Sequence, residues 1–192
     1  VVSSSNGVVE RSTFDANTGA ALGIEGANFG ASVVRDTRVL SGHKGVVAIQ
    51  GAPVTIERTS ITGTVEVALL SYTCSAPVVL DQVTIADNAG TGLKIDDTSG
   101  FYCTGDFTTI ERSTIARNAI GIALPGNRLM PFAPLVDHSI VADNTVDLEV
   151  NVRASWSLVE HPNGHLLTSS HTLTGVDPEL SAMATDPSTG LG

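Results

Sequence analysis

One phrase recurs along this chain at intervals of roughly 20–30 residues, a spacing that signals a solenoid. Its fullest copy is Thr109-Ile110-Glu111-Arg112-Ser113-Thr114-Ile115-Ala116-Arg117-Asn118. Other copies begin at Val9-Glu10-Arg11-Ser12, Val34-Arg35-Asp36-Thr37, Ile56-Glu57-Arg58-Thr59, Leu80-Asp81-Gln82-Val83 and Val136-Asp137-His138-Ser139, with a worn one at Ala154-Ser155-Trp156-Ser157. A repeat this short cannot bury its own apolar face. It is stable only when stacked on its neighbours, so the repeat constrains the fold more than any other feature.

Each copy reads as three short strands. In the third copy an alternating strand begins at Val54 and ends at Ile56, and the charged pair Glu57-Arg58 follows. Thr59 and Ile61 then resume the alternation. Two outward residues in succession break a period of two, so a bend is predicted at the charged pair. Gly63, or Asn in other copies, marks a turn into a third strand, Val65-Glu66-Val67-Ala68-Leu69. Repeat length varies mainly after this third strand. The pattern predicts an all-β chain with about seven turns of three strands, identical positions standing one above another at about 4.8 Å.

Two columns follow from that stacking. Asn17, Asn88, Asn118 and Asn144 share one place in the repeat, where stacked amides satisfy one another and the turn backbone. The charged bends form the other column. Because these pairs recur in every turn, they read as a solvated structural ladder rather than as catalytic carboxylates.

Composition narrows the function classes. The 192 residues suffice for one domain, and 42% are hydrophobic but only 4% aromatic, so Val, Ile, Leu and Ala must fill a narrow interior. A formal charge of −10, with Lys44 and Lys94 the only lysines, argues against nucleic acid, which is bound through clustered cations. Acidity of this kind keeps a surface soluble. It also suits calcium, although no calcium-binding repeat accompanies it, and no cofactor is expected. No apolar run approaches the ~20 residues of a membrane span, and Val1 opens no signal peptide.

These repeats resemble those of right-handed parallel β-helix proteins, the superfamily that holds pectate lyases, polygalacturonases, phage tailspikes and many bacterial surface proteins. The likeness runs from about Val8 to Leu180. The stretch from Ser157 through Thr174-Gly175-Val176-Asp177-Pro178-Glu179-Leu180 is similar to the closing turn of β-helix domains in large secreted bacterial proteins. The resemblance implies one domain over residues 1–180 and a tail, 181–192, continuing into a parent protein. It also implies an extracellular or cell-surface location, with neighbouring domains or subunits at the solenoid ends.

In that setting Cys74 and Cys103, both following third strands of adjacent turns, are expected to form a structural disulfide. Of the five histidines, His161 and His165 have metal-pair spacing, but Pro162 and Gly164 preclude the helix this would need. Asp96-Asp97 and Gly42-His43-Lys44-Gly45 only distantly resemble polygalacturonase motifs. Their order is reversed and no Arg-x-Lys follows. Tyr72, Lys94, Asp96, Asp97, Tyr102 and Arg128 gather in or near the longest excursions. The two tyrosines either border a shallow saccharide groove or only cover the disulfide. The leading expectation is a non-catalytic structural or adhesion module that contacts glycans. The alternative is a polysaccharide lyase or glycoside hydrolase, which would gather three or more charged side chains in one groove over adjacent turns. Fold alone does not separate the two.

Overall fold

Alternation dictates the first strand of each turn. In Val54–Glu57 the apolar Val54 and Ile56 are buried while Thr55 and Glu57 are half-exposed, and Ser32–Arg35, Val78–Asp81, Thr108–Glu111 and Val152–Ser155 repeat the pattern. Parallel pairing in register then puts Ile56, Leu80, Ile110 and Val136 in one inward column. The computed structural model describes residues 2–3, 7–25, 30–49, 53–72, 77–96, 108–124 and 133–180. Among these residues there are strands and no helix, arranged as three parallel sheets of seven, eight and eight strands. Within each sheet the neighbours are corresponding strands of successive turns, so the chain is a coil with one sheet for each strand position of the repeat. No helix among the described residues is long and apolar enough to cross a membrane.

The bend at the charged pair has a specific backbone cause. Arg11, Asp36, Arg58, Gln82, Arg112, His138, Trp156 and His171 all adopt the left-handed region, with φ between 43° and 55°. One such residue swings the next strand onto the adjacent sheet and leaves its own side chain pointing outward. For a non-glycine residue this conformation costs about 1–2 kcal/mol. Backbone bonding offsets part of that cost: the N–H groups of Arg58, Gln82 and Arg112 donate to Asp81, Glu111 and Asp137 in the following turn.

A hydroxyl ladder locks the same bend. Ser12, Thr37, Thr59, Ser113, Ser139 and Ser157 each donate to the carbonyl two residues earlier, at 2.7–2.9 Å. Val83, Ser113 and Ser139 in turn donate their backbone N–H groups to the hydroxyl of the next turn, at 3.0–3.1 Å. The second strand therefore begins one residue later than alternation suggests, at Ser60 rather than Thr59.

The third strand departs from the simple alternating reading. Thr64 pairs with Gly42 but Val67 pairs with Lys44, so two residues, Val65 and Glu66, stand opposite His43 alone. This bulge turns Val65 outward, 63% exposed, where strict alternation would bury it. Gly90 of the following turn lies under the bulge, where a Cβ would meet the Glu66 carbonyl oxygen at 2.0 Å.

In the last described turn the inward columns turn polar. Ser169 follows Ala154 and Thr174 follows Val159 in the inward columns, so the last described turn places hydroxyls where earlier turns place hydrocarbon.

Candidate functional site

Most charged side chains of the repeat are engaged between turns. Arg35 lies 2.7 Å from Glu10, Arg58 2.6 Å from Asp36, and Arg112 2.7 Å from Asp81. Hydrogen bonds from Arg11 and Arg35 hold the Glu10 carboxyl below its ordinary range, and Arg58 does the same for Asp36. A further pair, Arg117 with Asp87 at 2.6 Å, occupies the second bend. These exposed ladders contribute little stability individually.

The amide column is bonded where it is continuous. Asn88 Nδ2 donates to Asn118 Oδ1 and Asn118 Nδ2 to Asn144 Oδ1, both at 2.8 Å. Thr64 joins from the preceding turn, its backbone N–H and its hydroxyl both donating to Asn88 Oδ1 at 2.9 Å. Asn17 belongs to the same column but is separated from this run by Gly42 and Thr64. Beside the amides runs a column of small residues: a Cβ on Gly92 would meet Asn118 Nδ2 at 3.0 Å, and one on Gly121 would meet Asn144 Nδ2 at 2.9 Å.

Asp147 terminates the run. Its fully buried carboxylate accepts from Asn144 Nδ2 at 2.9 Å and from the His161 backbone N–H at 2.7 Å. Glu160 lies beside it and accepts from the Asp143 backbone at 2.8 Å. Ligand atoms of Asp147, Glu160 and His161 fall within 4.8 Å of one another, as do those of Asp143, Glu160 and Asp177, a spacing a divalent cation can bridge. Burial, followed by the charges of Asp177 and Glu160, holds the Asp143 carboxyl above its ordinary range. The three clustered histidines diverge: His161 faces Asp147, His165 meets Asn151 at 3.1 Å, and His171 stacks on Trp156 at 3.8 Å.

A groove of about 310 Å³ opens on the outer face of the third-strand sheet, within the usual size range of small-ligand sites. Glu66, Thr91, Lys94 and Glu149 supply its polar groups, while Val67, Ile120, Ala123 and Leu124 line the rest. These residues come from four successive turns, so the groove runs along the coil axis. Glu66 is set outward by the bulge and leans to the preceding turn, where it meets His43 at 3.0 Å and Lys44 at 3.3 Å. The backbones of Glu66 and Glu149 stand three turns apart, about 14 Å at the inter-strand spacing. Paired acid and base carboxylates of glycosidases need roughly 5–9.5 Å.

Of the described residues predicted from sequence, only Lys94 lines this groove. Tyr72 is half-buried against Val47, Val67 and Leu70 in an apolar cluster separate from the core. Asp96 is half-buried and donates its N–H to Ser71. Asp97, Tyr102, Arg128, Cys74 and Cys103 lie outside the described residues. Glu66, Thr91 and Glu149 went unnoticed, although each is a polar residue in or beside a third strand of nearby turns, which was the available signal. Arg117, next to the amide column, is partly covered, its side chain 23% exposed.

Three parallel sheets coiled about one core, with ladders at each bend, define a parallel β-helix. The model of the right-handed β-helix region matches residues 1–150, and the chain belongs to that family. No curated protein and no solved structure matches it.

Proposed function

We propose that this chain is a non-catalytic structural or adhesion module of a secreted or cell-surface protein, bacterial in origin, and that it contacts glycans along its third-strand sheet. The observation that carries this reading is the axial groove, in which polar side chains from successive turns border an apolar floor. An extended saccharide chain has matching chemistry, with hydroxyls at its edges and C–H faces toward the floor. A bridge between Cys74 and Cys103 fits the same oxidising compartment. Neighbouring domains or subunits are the natural cover for the ends of the coil.

A lyase or hydrolase is the second reading, favoured by one observation: Glu66, Lys94 and Glu149 do meet in a single groove. The three-turn offset of the Glu66 and Glu149 backbones weighs against it, as does the commitment of Glu66 to Lys44 and His43. The test is to incubate the protein with acidic and neutral polysaccharides, with and without calcium, while following binding by NMR. Shifts confined to Thr91, Lys94, Ile120, Ala123 and Glu149, without new reducing or unsaturated ends, support the module. Turnover abolished by Glu66→Gln or Glu149→Gln would replace it with the enzyme.

A further inference from the structure

Lys94 stands apart from the other cations. Lys44 lies 3.3 Å from Glu66, and each described arginine is engaged with a partner. Lys94 alone among the described lysines and arginines has neither an ion pair nor a hydrogen bond, although it is half-buried in the groove wall. Its strand neighbours are Leu70 and Ala123, so its stem crosses apolar surface and no carboxylate flanks it in register. Glu66 lines the same groove but is held from the preceding turn by Lys44 and His43.

A lysine stem held against apolar surface keeps its ammonium beside a low-dielectric wall, where a paired anion is bound more strongly than in open water. Among the described residues none supplies it, while the groove leaves room for one. We infer that Lys94 is the specificity-determining residue of the groove, seating a single anionic substituent, carboxylate or sulfate, of an otherwise uncharged ligand. Glu149, one turn beyond Ala123, bars a second negative charge farther along the axis. The inference rests on reading the groove as a glycan-contacting site, and it adds the charge that the site selects.

The experiment compares affinities for four oligosaccharides: one carrying a single carboxylate, its carboxyl-reduced counterpart, one carrying a single sulfate, and its desulfated counterpart. The charged member of at least one pair should bind about tenfold more tightly, the effect of one charge-assisted hydrogen bond. The pair that shows the preference identifies the anion. Lys94→Met should abolish the preference, and Lys94→Arg should restore it. In the unmutated protein the two lysines, ¹³C-dimethylated, give separate NMR signals, and the charged ligand should move that of Lys94 more than that of Lys44. Equal affinity for charged and neutral ligands would overturn the inference and leave the glycan reading standing. A preference that survives in Lys94→Met would overturn the assignment to Lys94, and failure of all four ligands to bind would overturn both.

Discussion

Asn118 links three turns of the coil through one side chain. It accepts from Asn88 Nδ2, donates from Nδ2 to Asn144 Oδ1, and aligns its backbone N–H on the same Asn144 oxygen at 2.9 Å. Replacing it strands buried donors and acceptors on both sides. Asn118→Leu should cost on the order of 1–3 kcal/mol in urea unfolding. The adjacent Arg117→Ala removes only a partly exposed ion pair and should cost about 0.2–1 kcal/mol. Equal losses at the two positions would show that the ladder does not carry the stability ascribed to it.

Glycine beside the amides is required by space. A methyl group on Gly121 would lie 2.6 Å from the Asp147 carbonyl oxygen and 2.9 Å from Asn144 Nδ2. Gly121→Ala should therefore destabilise by about 1–3 kcal/mol through overpacking. Gly19 has nothing within 4 Å of the same position, so Gly19→Ala should leave the unfolding midpoint unchanged or slightly raised.

The bend stores local strain that a single substitution can release. Gln82 sits at φ 55° and is exposed. Gln82→Asn, a side chain that tolerates this region, should raise stability by a few tenths of a kcal/mol, and Gln82→Val should lower it by about 1 kcal/mol or more. Thermal unfolding of the two variants decides the point, and an equal response would remove strain from the account of the bend.

Asp143 gives stability a distinct dependence on pH. Its folded carboxyl is raised above the ordinary value by burial and by Asp177 and Glu160, so the native state holds that proton more tightly than the unfolded chain. Its contribution is thus most favourable below the ordinary carboxylate value and is lost as pH rises through the raised one. Asp143→Asn should stabilise the protein at pH 7 and have little effect below the ordinary range. Asp137 behaves oppositely, because Ser155 and His138 lower it, and its contribution is lost as pH falls through its depressed value. Melting curves of the Asp143 variant across acid and neutral pH test the sign directly.

The proposed bridge has a chemical readout. If Cys74 and Cys103 are joined, the unfolded, unreduced protein should present no thiol to a thiol reagent, and two after reduction. Two thiols before reduction would remove the main support for an oxidising compartment.

What sequence made legible was whatever repeats. The inward column through Ile56, Leu80 and Ile110, the bend after each, and the Asn run all follow from periods that survive substitution of one residue for another. Features that depend on differences between adjacent turns were hidden. Nothing in Val65-Glu66-Val67 announces a bulge, because the extra residue is defined only against His43 of the preceding turn. The pairing of Arg117 with Asp87 likewise requires knowing which turn lies beneath which. The groove escaped for the same reason. Glu66, Lys94 and Glu149 are distant in the chain and meet only because each lies on the outer face of its own turn.

The two bends within each turn are held by hydroxyls, amides and left-handed residues, and the sequence distance that varies most is the one from a third strand to the next first strand. It takes few residues from Ile49 to Val54 and many more from Ile95 to Thr108. Changes of length are thus accommodated at one place in the repeat. Insertions between those strands leave the register of every ladder bond unchanged, so chain length can vary there without renegotiating the stability of the coil.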